Sequence, residues 1–394
     1  MASGRAQQPA PQDGPGGQGG QPSSGLRRTW ARVAWPVLAI VALGLVALTL
    51  VTNLSPNRHT LVVASMPYWN IGHDTAVVLG HRNDVNEVSP WIYGLSATGA
   101  IVPQYPASQS AAVAHDIARL RAAGMRIVPS IANVTGGAFD YQPVGRMLHT
   151  PALERQQVSA IVNLVLRNNY AGIDIDYEQL HAGDQQAFTH FVTDLANALH
   201  AHHKVLSVAV FPQTSRPAAT NPVSAQDYRA LGKVADQVRI MGYNYHWAGS
   251  APGATAPIGW VRSVLKYATR QMPARKVVLG IPLFGYTWPD GTGKGQPLSW
   301  LQALRLSRQF HATAQYNKAS QSPHFSYSAA GRTHTVWFEN AESSKAKFEA
   351  VKGAVVAGVY LWMYGYEDPG TWPALHSTLP LSGSGASTTA KQVP

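Results

Sequence analysis

Three acids stand at every second position in YAGIDIDYEQL, residues 170–180: Asp174, Asp176 and Glu178, with Ile173, Ile175 and Tyr177 between them. Strict alternation of acid and apolar residue, with no turn residue inside it, predicts an extended strand. Side chains on such a strand alternate faces, and same-face neighbours lie about 7 Å apart. One face then carries three carboxylates, and the other packs on a core. Acids gathered in a low-dielectric setting must share protons or be given partners. Asp174 and Asp176 are expected to titrate as a pair with one proton between them. Glu178, nearest the C-terminal end of the strand and walled by apolar groups, is expected to keep its proton above the usual carboxylate range, as a general acid must. The wetted face of an exposed antiparallel strand would show the same alternation, so the surrounding elements decide.

Those elements alternate. Strand-like runs fall at 61–69, 89–97, 126–133, 171–178, 205–212, 237–245, 276–288 and 358–365. Helical patterns lie between them. In residues 185–200, Phe188, Phe191, Val192, Leu195 and Leu199 recur at steps of three and four. Strand and helix alternating eight times predict an α/β fold, a closed (β/α)8 barrel, with an open doubly wound sheet as the other arrangement. No GxGxxG follows an early strand, which counts against the open sheet. The acids then sit in the barrel interior near the strand's C-terminal end, where barrel active sites form. Residues 289–340 are expected to form a small α+β insertion between strands seven and eight.

The 394 residues are 45% hydrophobic and 13% charged, with 11 Trp, 16 Tyr and no Cys. The absence of Cys excludes disulfides, thiol catalysis and Cys-based zinc sites. The net charge of +11 is spread without basic clusters in the barrel segment. That speaks against nucleic acid and suits an anionic neighbourhood such as a cell wall or lipid headgroups, or plain solubility. Residues 1–32 read as a disordered tail rich in Gly, Pro, Gln and Ser. Residues 33–51 carry no charge and follow Arg27, Arg28 and Arg32. They are expected to span a membrane with the N-terminus in the cytoplasm and the barrel outside. A cleaved signal peptide, giving a secreted barrel, is the alternative. Residues 52–58 read as a linker, 59–375 as the barrel and 376–394 as a disordered tail.

Beyond the acids, MGYNYHW (241–247), LGIPLFGYTW (279–288), VWFEN (336–340) and VYLWMYGYEDPGTW (359–372) complete a pattern. Together with GIDIDYE it resembles family-18 glycoside hydrolases, the chitinases and endo-N-acetylglucosaminidases, over about residues 60–375. Within that family it is most similar to the bacterial wall- and spore-associated branch. The resemblance implies hydrolysis of β-1,4 bonds beside N-acetylglucosamine, in chitin oligomers or peptidoglycan, without metal or cofactor, by a monomeric barrel. It implies Glu178 as acid and base, Asp176 and Tyr243 on the substrate's acetamido group, Asp174 tuning Asp176, and Trp362 under the sugar. It adds Met241 and Asn244 to the substrate-binding set.

The sequence departs from the family pattern at three places. Ala171 replaces the first acid of the signature, SIAN (130–133) replaces a Ser-x-Gly-Gly segment, and Asn244 stands where the family has Asp. These departures keep a second reading open, a carbohydrate-binding protein of the same fold without turnover. Tyr68, Trp69, Trp247 and Trp288 follow strands and are either sugar-stacking platforms or core. HAHH (200–203) reads as a solvated helix end rather than a metal site. No G-x-S-x-G elbow supports a serine hydrolase.

Overall fold

The alternation closes into a ring. The computed structural model describes residues 60–362 and 365–381. The tail, candidate spanning segment and linker at 1–58, and residues 382–394, lie outside the described residues. Among the described residues no helix is long and apolar enough to cross a membrane.

Eight parallel strands are neighbours in chain order: β1 (Leu61–Pro67), β2 (Glu87–Leu95), β3 (Arg126–Ile127 and Ser130–Ala132), β4 (Gly172–Asp176), β5 (Val205–Val210), β6 (Gln237–Ile240), β7 (Val277–Pro282) and β8 (Gly358–Trp362). β8 returns to β1, with Leu61 opposite Gly358. β3 is broken around Pro129, which has no N–H to give the ladder. Its carbonyl still accepts from Asp174 N–H, at 2.9 Å.

Eight helices cover the ring: α1 (Ile71–Gly80), α2 (Ser110–Ala122), α3 (Pro151–Arg167), α4 (Gln185–His200), α5 (Tyr228–Val234), α6 (Ile258–Gln271), α7 (Ala341–Ala354) and α8 (Thr371–Thr378). The apolar stripe of α4, with Phe188, Phe191, Val192, Leu195 and Leu199, is buried. It meets the outward residues of β4: Ile173, Ile175 and Tyr177 belong to the same core, and Tyr177 stacks on Phe191 with ring centroids 5.8 Å apart. At Gly172 a Cβ would run into the Val205 carbonyl of β5, so the close approach that starts β4 requires glycine.

The insertion begins earlier than the sequence suggests. LGIPLFGYTW is not one strand. β7 ends at Pro282, and Phe284–Pro289 opens a separate five-stranded antiparallel sheet with Gln296–Ser299, Arg332–Trp337, Ser322–Ala329 and Gln315–Asn317. The break falls at Leu283, whose N–H donates to the Trp362 carbonyl at 2.7 Å. One helix, Trp300–Gln309, covers the sheet behind a Ser299–Gln302 capping box. The VWFEN segment ties this unit back to the barrel. Glu339 makes a buried ion pair with Lys347 of α7 at 2.7 Å, and Asn340 caps α7. α8 continues to Thr378, past the expected end of the barrel at residue 375, and His376 meets Asp84 at 2.8 Å. The periodicity missed this last turn because the helix carries little apolar asymmetry.

Candidate active site

The acid strand is shorter than the alternation predicts. β4 ends at Asp176, so Glu178 stands on the loop beyond it, and Gln179 takes the left-handed conformation at φ 56°. The three carboxylates still converge. They share a cavity of about 590 Å³ with Ser65, Trp91, Ser130, Phe139, Arg239, Met241, Tyr243, Asn244, Trp247, Tyr360 and Trp362. Ser65, Trp91, Ser130, Asp174, Asp176, Arg239, Tyr360 and Trp362 stand on the barrel strands, while Glu178, Met241, Tyr243, Asn244 and Trp247 come from the segments that follow their C-terminal ends.

Asp174 is buried, and its partners are supplied by the barrel. Ser130 Oγ donates to Asp174 Oδ2 at 2.8 Å, and the Arg239 guanidinium stands 3.5 Å from Oδ1. Arg239 is 2% exposed and extends the network down the barrel. It donates to Ser89 Oγ and to Glu87 Oε1, each at 2.7 Å. Gln237 donates to both Glu87 oxygens at 3.1 Å, and Arg126 reaches Glu87 Oε2 at 3.0 Å.

Asp176 lies above this ladder. Trp91 Nε1 donates to its Oδ2 at 3.0 Å, while buried Oδ1 has no hydrogen-bond partner. Burial pushes its carboxyl up to about 7. Asp174 adds to that rise, and the Trp91 hydrogen bond and the Arg239 charge hold it down. Burial, reinforced by Asp176, raises Glu178 well above the usual carboxylate range. Both shifts favour the protonated form of the pair towards neutral pH.

Tyr243 and Tyr360 hydroxyls meet at 2.6 Å. Trp362 stacks roughly parallel to Tyr243 at 6.4 Å and meets Trp91 edge-on at 6.2 Å. β6 stops at Ile240 instead of running to Tyr245. Tyr243 N–H turns back to the Met241 carbonyl at 2.8 Å, and Asn244 adopts φ 62°, a conformation Asn tolerates better than most residues. Its Oδ1 accepts from the Tyr286 hydroxyl at 2.9 Å.

Two expected sugar contacts do not reach the cavity. Trp288 is 2% exposed and donates from Nε1 to the Trp247 carbonyl at 3.2 Å. It supports the loop that carries Trp247, which is 52% exposed and lines the cavity. Tyr68 packs on the main core and meets Trp69 edge-on at 5.1 Å. The backbone of Ala171 is paired on both sides, with Ile127 O and Val205 N, so the missing acid leaves the ladder intact. His200 pairs with Asp236 at 2.9 Å. Among the described residues, the side chains grouped closely enough to hold a metal are Glu154, His190 and Asp194, on α3 and α4 away from the cavity lining.

Trp91, Arg239 and Tyr360 are cavity residues that sequence reasoning missed. Arg239 had a signal. It shares parity with Gln237 and Met241 in QVRIM, and a charge at an inward position of a buried strand needs an acid partner. Trp91 and Tyr360 had only parity to offer.

A closed parallel barrel here gathers carboxylates and stacked aromatics into one cavity, at the end where barrel enzymes form their active sites. Residues 83–367 match the model of glycosyl hydrolases family 18, and the chain belongs to that family. It is 34% identical to the cortical fragment-lytic enzyme of Bacillus subtilis (strain 168) over 247 residues, 61% of this chain and 57% of that protein. Among solved structures, a chitinase from Chromobacterium violaceum ATCC 12472 superposes with TM-score 0.74 at 30% identity, covering 81% of this chain and 99% of that one. The spore cortex-lytic enzyme SleL of Bacillus megaterium QM B1551 gives TM-score 0.71 at 27% identity, with 82% and 75% covered. The chain spans about three-fifths of the length of several curated Bacillus relatives.

Proposed function

We propose that this chain is a retaining glycosidase that cleaves β-1,4 bonds next to N-acetylglucosamine and uses the substrate's own acetamido group as nucleophile. The observation that carries this reading is the presence in one cavity of Glu178 and of Asp176, whose Oδ1 is unpartnered. Glu178 donates its proton to the glycosidic oxygen as the C1–O bond breaks. The acetamido carbonyl oxygen closes on C1, and the resulting oxazolinium ion places positive charge at the nitrogen. Asp176 accepts the acetamido N–H and stabilises that charge. The Tyr243 hydroxyl, 2.6 Å from that of Tyr360, donates to the acetamido oxygen when Tyr360 supplies the proton between the two. Trp362 supports the sugar face. Water then attacks C1 and gives a proton to the Glu178 carboxylate, and the ring opens to the β product. This is the substrate-assisted departure from the two-carboxylate scheme.

Names among the relatives include both chitinases and cortex-lytic enzymes. The diffuse positive charge favours an anionic wall polymer as substrate. The test compares an aryl N-acetylchitobioside with the matching aryl cellobioside. Only the first is expected to be cleaved, with retention at C1. Equal rates on both, or an inverted product by proton NMR, would sink the mechanism. Mass analysis of digested chitin and peptidoglycan separates the two polymers. No turnover on any of them, with sugar binding intact, supports the binding-protein alternative.

The same proposal places the barrel outside the cell, tethered by residues 33–51, whose uncharged run follows three arginines. Protease added to intact cells should digest the barrel, and salt washing should leave it cell-bound. A shortened soluble form in the medium would indicate cleavage instead.

A further inference from the structure

Glu178, the proposed proton donor, has no strand to hold it. β4 ends at Asp176, and the chain turns through a left-handed Gln179 immediately after Glu178. Loop backbone at such a point is free to shift unless its polar groups are engaged. Here they are engaged by side chains. Asn133 is fully buried at the end of β3. Its Oδ1 accepts from Glu178 N–H at 2.8 Å, and its Nδ2 donates to the Glu178 carbonyl at 2.9 Å. The same Nδ2 reaches the Asp140 carbonyl at 3.1 Å, and Asp140 N–H returns to the Asn133 carbonyl at 2.8 Å. From the opposite side Gln226, 2% exposed, donates to the Tyr177 carbonyl at 3.3 Å and accepts from Phe211 N–H at 2.7 Å.

We infer that Asn133 is a positioning residue for Glu178, with Gln226 as its counterpart across the loop. An amide does this where neither a carboxylate nor a hydroxyl can. It offers one acceptor and one donor side by side, the complement of a single residue's N–H and C=O. Asn133 thus pairs with Glu178 as a neighbouring strand would, two residues beyond Asp176, where β4 stops pairing with β3. Asp140, held by the same amide, directly follows Phe139, which lines the cavity, so one side chain registers the acid against that wall. The Asn of SIAN, a departure from the family pattern, thereby acquires a role in this chain.

This inference rests on Glu178 acting as the acid, so the test reads the clamp both with and without turnover. In the full chain, Asn133→Ala is expected to lower kcat on order of 100-fold, the scale of a small misplacement of a reacting group. KM should change little, and the limbs of the pH–rate profile should move. Amide exchange at residues 177–179, followed by mass spectrometry, should speed up in the variant while the β5 and β6 amides stay protected. Asn133→Asp keeps the acceptor and loses the donor, so it should fall between Ala and wild type in both readouts. It also carries the test if the Ala variant does not fold. A folded Ala or Asp variant with wild-type kcat, pH profile and exchange at Glu178 overturns the inference. If the wild type has no turnover, the glycosidase reading fails, and the exchange measurement still decides the clamp.

Discussion

Glu178→Gln should reduce kcat by roughly three orders of magnitude or more, while affinity for an N-acetylglucosamine oligomer stays within a few-fold of wild type. General acid catalysis alone contributes about 10²–10⁴-fold. Gln keeps the shape of the side chain, so cavity and clamp survive, but it has no proton to give the leaving oxygen. The change should also stabilise the fold at neutral pH. Burial and Asp176 both disfavour the charged form of Glu178. Its folded-state pKa is therefore raised, and the native state holds a proton that the unfolded chain releases above its own lower value. Stability is thus lost as pH climbs through that window, and the uncharged amide escapes the loss. Steady-state kinetics, calorimetric binding and thermal melts at pH 5 and 8 check all three effects. A variant retaining even a tenth of wild-type kcat would remove Glu178 from the role of acid.

Arg239→Met should be the most destabilising change in the barrel interior. It preserves apolar volume but removes the cation between Glu87 and Asp174. Breaking a buried pair by deleting one partner costs about 3–5 kcal/mol. Arg126 and Gln237 still reach Glu87, and Ser130 still reaches Asp174, so the cost is expected at the lower end. The catalytic consequence has a definite sign. Arg239 holds the Asp176 carboxyl down from where burial would otherwise push it. Without the guanidinium Asp176 protonates at higher pH, and the acid limb of the kcat/KM profile should move to higher pH. Arg239→Lys keeps the charge without the fork and should recover most of the profile but less of the stability. An unchanged acid limb in a folded Met variant would show that the ladder supports the fold and not the chemistry.

The barrel was legible because its physics is periodic. The outward Ile173, Ile175 and Tyr177, and the α4 stripe, each repeat at the interval of their element, and all are buried. The carboxylate cluster was legible for the same reason, although the alternation ran two residues past the strand it implied. What could not be read is contact between segments distant in sequence. Nothing in SPWIYG marks Trp91 as the donor to Asp176, and nothing in SIAN says that its amide will meet residue 178. The aromatics show the same limit. Trp288 and Trp247 have equal claims in the sequence, yet the turn after β6 exposes one and uses it to cover the other. LGIPLFGYTW read as a single apolar run because the break at Leu283 is made by a hydrogen bond to Trp362, a neighbour in the fold that is distant in sequence.

That late partner has a consequence for how the protein is made. The ring is shut only when β8 docks between β7 and β1, and the Asp84–His376 contact joins residues 292 apart in the chain. Trp91 is synthesised early and Trp362 near the end, so no shorter nascent chain owns a finished floor for a sugar. At roughly 5–20 residues per second, β1 waits tens of seconds for β8. During that wait its edge is unpaired and open to wrong partners. Whatever cutting activity the barrel has begins with the arrival of its last strand, and a chain still lacking β8 has no finished site.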